Sequence, residues 1–159
     1  MCIRDSLFAL DALMAAYPDA LVIQTHRAPS TIIASMCSLA EQATPGWSTT
    51  FVGDTIGDTQ LELWSRGLRE FSSARARYDQ SQFVDVDFAD LRNDPMGTVE
   101  RVYSALGEPM SDDARAAVTA LDEESKSGAR KPQHRYQLAD YGLDEARVAA
   151  AFDEVLPAG

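Results

Sequence analysis

Only two short stretches of this 159-residue chain read as β-strands, Ala20–Thr25 and Gln82–Phe88, and both sit among helical patterns. The first, Ala-Leu-Val-Ile-Gln-Thr, is a nearly continuous apolar run of the kind found in buried strands of parallel sheets. The second sets Phe83, Val84, Val86 and Phe88 among polar residues. Strands alternating with helices give an α/β pattern, with a parallel sheet flanked by helices. A doubly wound sheet usually has about five strands, and a two-stranded one leaves a hydrophobic edge bare. A further strand is therefore expected to belong before residue 7.

The helices follow from spacing and caps. Leu7, Leu10, Leu13 and Met14 lie at helical intervals; as a signal-peptide core the stretch Leu7–Ala16 is interrupted by Asp11. After the turn Tyr17-Pro18-Asp19 and the first strand, Pro29 suits a first helical turn. Ile32, Ile33, Met36, Leu39 and Ala40 then trace one face to about Gln42. Thr44–Thr59, rich in Gly, Thr and Asp, reads as a loop, and Leu61, Trp64, Leu68 and Phe71 mark a long helix running towards Tyr78. Asp94-Pro95 is a helix start, a capping carboxylate before proline, and Gly107 is its stop. Ser111 caps a helix to about Glu124, an irregular stretch covers Ser125–Gln137, and a last helix spans about Leu143–Leu156. Met-Cys-Ile-Arg-Asp-Ser at positions 1–6 begins no element. It reads as a translated adapter or as a frayed terminus, and the fold is assigned to residues 7–159 as part of a single domain.

Composition narrows the function. The net charge is -11, with 14 Lys+Arg against 25 Asp+Glu, which disfavours nucleic-acid binding. Two cysteines are too few for a disulfide scaffold, so a reducing, cytoplasmic setting is expected. No run approaches the roughly 18 apolar residues of a membrane span. GxGxxG, Walker A, GxSxG, HExxH and CxxC are all absent, and His26, His134, Cys2 and Cys37 have no metal-ligand spacing. Asp85, Asp87 and Asp90 form a carboxylate run, but the first two alternate along a strand and are expected to face solvent or cap a turn.

Two features point to anion chemistry. Arg27 stands at the carboxyl end of a strand, where open α/β sheets place ligands, and a helix N-terminus follows. Its fork and the Ser35 hydroxyl suit a phosphate cradle; the plain alternative is an Arg27 paired with a surface carboxylate. The second feature is Lys126–Arg135, which holds Lys126, Arg130, Lys131 and Arg135 and no acid. It reads equally as a loop closing over a phosphate or as a solvated offset to Asp122-Glu123-Glu124.

Together these stretches resemble the sulfotransferase superfamily that uses 3′-phosphoadenosine 5′-phosphosulfate (PAPS), in its bacterial branch. Val22-Ile23-Gln24-Thr25-His26-Arg27-Ala28-Pro29 followed by Ile33-Ala34-Ser35-Met36-Cys37-Ser38-Leu39 is similar to the family's 3′-phosphate element, with Arg and Ser eight positions apart. Phe83-Val84-Asp85-Val86 with Phe88, Asp90-Leu91 and Asp94-Pro95 resembles its next strand and Asp-Pro helix. His134-Arg135-Tyr136 and Leu138–Leu143 resemble its C-terminal signature. The resemblance implies a P-loop-NTPase-like fold and sulfuryl transfer from PAPS, without a metal, to a hydroxyl or amine of a small-molecule, carbohydrate or lipid acceptor. It implies Arg27 and Ser35, with Arg130 and Arg135, as cofactor-binding residues. The family's usual Asp is replaced by Ala28, and its N-terminal strand and phosphosulfate loop have no counterpart here. The chain is therefore expected to be the C-terminal part of such an enzyme, inactive by itself, with no residue assigned as base. A nucleotide or small-molecule kinase of related fold and a non-catalytic binding domain are the alternatives.

Overall fold

The computed structural model describes residues 7–127 and 136–153. In chain order they form α1 (Leu10–Ala16), β1 (Val22–His26), α2 (Pro29–Ala43), α3 (Asp54–Arg75), β2 (Phe83–Asp87), α4 (Phe88–Asn93), α5 (Pro95–Leu106), α6 (Asp112–Ser127) and α7 (Glu145–Asp153). Two 3-10 turns lie at Gln80–Gln82 and Leu138–Tyr141. These residues divide into two compact units, one of 7–18, 28–78 and 136–153, the other of 19–27 and 79–127.

The first unit is helical. Ile33 and Cys37, one turn apart on α2, meet Ile56 and Leu61 of α3, Tyr141, Leu143, and Val148 and Phe152 of α7 in one apolar cluster. α3 begins at Asp54, so the first six residues of this helix were expected to be loop. The reason is tertiary. A Cβ on Gly57 would stand 2.0 Å from the Tyr141 carbonyl oxygen, so the glycine admits a backbone approach that holds the first turns of α3. The buried Tyr141 hydroxyl donates to Glu41 Oε2 at 2.8 Å. Burial first, and then that bond, push its pKa up to about 12. Burial likewise pushes the Cys37 thiol up to about 11. On α1, Leu10 and Met14 are buried, while Asp11 faces outward to accept from Arg77 at 2.5 Å and from the Tyr78 hydroxyl at 2.8 Å.

The second unit holds the sheet. β1 and β2 pair in parallel, from Val22 opposite Phe83 to His26 opposite Asp87. α4 and α5 pack on β2, and α6 packs on α5. α5 starts as expected, with Asp94 Oδ1 accepting from the Gly97 amide at 2.9 Å, and ends at Gly107 in the left-handed region. β2 stops one residue before the expected end. Asp87 Oδ1 takes the Ala89 amide at 2.6 Å, and this cap turns Phe88 into the first residue of α4. α6 runs on to Ser127, so Lys126 lies in its last turn, paired with Asp122 at 2.6 Å. The expectation of a buried β1 is corrected. None of its five residues is buried, and Ile23 is 49% exposed. Among the described residues β2 is its only strand partner. No helix among them is long and apolar enough to cross a membrane.

Candidate functional site

Strand alternation sorts the sheet into two faces. Gln24, His26, Asp85 and Asp87 share one; Ile23, Thr25, Val84 and Val86 share the other. The polar face is concentrated at the carboxyl ends, where parallel sheets position ligands. There His26 Nε2 lies 2.6 Å from Asp85 Oδ1, one diagonal step across the pair. Asp87 is occupied by the α4 cap. The carboxylate run therefore has separate duties. Asp85 meets His26, Asp87 caps a helix, and Asp90 lies 3.7 Å from Arg101. Among the described residues no group of three or more His, Cys, Asp or Glu could hold a metal ion.

Arg27 follows β1 directly and is exposed. Its guanidinium carbon lies over the Phe88 ring, 4.6 Å from the centroid. Continuing the strand register past His26 and Asp87 puts residue 27 beside residue 88, which explains the contact. Arg27 has no ion pair among the described residues, so the plain alternative of a surface carboxylate partner is not what the structure shows. Elsewhere Arg77, Arg115 and Arg147 meet Asp11, Glu100 and Asp58. A cation-π contact uses none of the five N–H donors, and these remain for an oxyanion.

Ser35 belongs to the other unit, half-buried on α2, with its hydroxyl unpartnered among the described residues. α2 has Pro29 in its first turn and Ala28 at its N-cap, without a side-chain cap bond. Pro29 brings no N–H to the first turn, and the Thr31 and Ile32 amides donate to the Ala28 carbonyl oxygen at 3.0 and 3.2 Å. Arg130 and Arg135 lie outside the described residues. Phe88 and Asp85 were not singled out as site residues from sequence. The parallel register is the signal that finds them, because it sets the end of β2 beside the end of β1.

Comparison with known proteins bears on the family and the fold. The family model described as "Sulfotransferase family" matches residues 4–112. Sulfotransferase STF1 of Mycobacterium tuberculosis H37Rv, as a crystal structure, superposes with a TM-score of 0.82 at 52% sequence identity. That match covers 96% of this chain and 38% of the STF1 chain. Sulfotransferase STF9 of Mycobacterium avium superposes at TM-score 0.79 over 96% of this chain and 39% of its own, and at 22% identity it speaks to the fold alone. The curated protein sequences give no match.

Proposed function

We propose, since this chain belongs to the sulfotransferase family, that Arg27 and Ser35 bind the 3′-phosphate of PAPS and that the whole protein transfers its sulfuryl group to a hydroxyl or amine acceptor. The observation that carries the reading is Arg27 itself: an exposed guanidinium at the carboxyl end of a parallel strand, with no carboxylate partner among the described residues. The fit to a phosphate is chemical: the planar guanidinium fork matches a phosphate edge. Ser35 enters through its spacing from Arg27, eight positions on. Arg130 and Arg135 are proposed as further cofactor contacts on sequence alone.

PAPS, when bound, supplies the sulfuryl group. The residues named here hold the end of the nucleotide remote from the transferred sulfur. No loop of the phosphosulfate type occurs in the sequence, and the chain spans 38% of the STF1 chain. The proposal is therefore that residues 7–159 form the C-terminal part of one sulfotransferase domain, acting in the cytoplasm on a small-molecule, carbohydrate or lipid acceptor, and that these 159 residues alone do not turn over.

The test is nucleotide selectivity, measured by calorimetry on the longest chain the gene encodes. Adenosine 3′,5′-bisphosphate should bind more tightly than AMP, and Arg27→Ala should reduce the preference roughly ten- to hundredfold, the range for one charge-assisted phosphate contact. Equal affinity for the two nucleotides would remove the assignment, and preference for ATP with magnesium would favour a kinase. Sulfuryl transfer from PAPS by the 159-residue chain, above an Arg27→Ala control, would contradict its proposed inactivity.

A further inference from the structure

We infer that Phe88 is a positioning residue for Arg27, holding the guanidinium ready for an anion without consuming its hydrogen-bond donors; the inference rests on the 3′-phosphate reading above. Three observations carry it. The first is the contact itself, 4.6 Å from guanidinium carbon to ring centroid, within the range in which the negative face of an aromatic ring attracts a cation. The second is how firmly the ring is placed. Phe88 is half-buried and follows Asp87 directly, and Asp87 is fixed twice, by pairing opposite His26 and by capping α4 through the Ala89 amide. The third is that the same strand ends are tied once more, by His26 Nε2 and Asp85 Oδ1 at 2.6 Å. The residue just before Arg27 and the residue just before Phe88 are thus both anchored in the sheet.

The alternative way to hold an arginine still is a carboxylate, as Asp58 holds Arg147 at 2.8 Å. A carboxylate neutralises the charge and occupies the fork, so an incoming phosphate must displace it. A ring does neither. It restricts the rotamers of a long flexible side chain before the ligand arrives, which lowers the ordering cost at binding. In a chain of net charge -11, an arginine without an acid partner among the described residues suits an anionic ligand.

The experiment compares affinities for adenosine 3′,5′-bisphosphate and AMP on the longest chain the gene encodes, with thermal unfolding as the folding control. Phe88→Leu should lower the 3′-phosphate selectivity roughly two- to fivefold, the range of an exposed cation-π contact, and Phe88→Tyr should restore it. Phe88→pentafluorophenylalanine keeps the shape and removes the negative ring face, so it should behave as Phe88→Leu even if the leucine variant folds poorly. In an Arg27→Ala background none of these changes should alter the selectivity further. If Arg27→Ala collapses the preference while the leucine and pentafluoro variants leave it intact, the positioning role is overturned and the phosphate reading stands. If Arg27→Ala itself has no effect, the phosphate reading fails first.

Discussion

The core of the helical unit and the first strand of the sheet unit handle apolar residues in opposite ways. In the helical unit, Ile33, Cys37, Ile56 and Val148 are 0–1% exposed, closed in by residues drawn from three helices and a 3-10 turn. In the sheet unit, β1 carries Val22 and Ile23 and buries neither. Its composition is that of an interior strand, but its surroundings are those of an edge. The difference teaches that an apolar run states how much contact a segment can use, while its neighbours in the fold decide how much it gets. The α2–α3–α7 cluster has its contacts within the described residues, whereas β1 has apolar surface to spare.

The largest effect should come from cutting into the closed unit. Ile33→Ala should cost about 2–5 kcal/mol in unfolding free energy, the range for truncating a fully buried aliphatic side chain. Chemical denaturation would measure it, and a loss below about 1 kcal/mol would mean the cluster is looser than described.

A smaller effect tests the polar seam of the same unit. Tyr141→Phe removes the bond to Glu41 and should cost about 1 kcal/mol near neutral pH. It should also change the alkaline limb. Folding raises the Tyr141 pKa to about 12 and that of Cys37 to about 11, so the native state holds both protons more tightly than the unfolded chain. Their contribution is complete below the ordinary thiol and phenol values and is lost as pH rises through about 11 and 12. Tyr141→Phe should flatten the upper part of that decline and leave the Cys37 part. An unchanged alkaline profile would show that Tyr141 ionises as freely in the folded protein as in the unfolded one.

Much of this was legible in advance. Asp94-Pro95 and Gly107 bracket α5 because caps act locally, and the apolar spacing of α2 needed no partner to be read. The start of α3 was not legible, because Gly57 looks like a loop residue until the Tyr141 carbonyl, more than eighty positions away, is seen against it. α4 was hidden for a related reason, since Asp87 could have continued a strand as well as capped a helix. At the site, Arg27 and Ser35 could be named from their spacing, whereas Phe88 and Asp85 became visible only once the register set the two strand ends side by side.

The smallest effect on stability falls on the open strand. Ile23→Thr should change unfolding free energy by no more than about 0.5 kcal/mol, as expected of a half-exposed position. The same substitution should lower self-association and hydrophobic-dye binding, since it removes apolar surface from an uncovered face. Size exclusion with dye fluorescence would read both. A cost of about 2 kcal/mol or more would place Ile23 in a covered site and end the contrast between the helical core and β1.

The central proposal is that Arg27 and Ser35 bind a 3′-phosphate. Backbone amide shifts of the labelled chain, titrated in parallel with adenosine 3′,5′-bisphosphate and with AMP, test this most directly, because the two ligands differ only in that group. The account predicts that the differences between the two titrations are largest across residues 26–35 and vanish there in Arg27→Ala. Differences centred on another segment, or identical responses to both nucleotides, would contradict it.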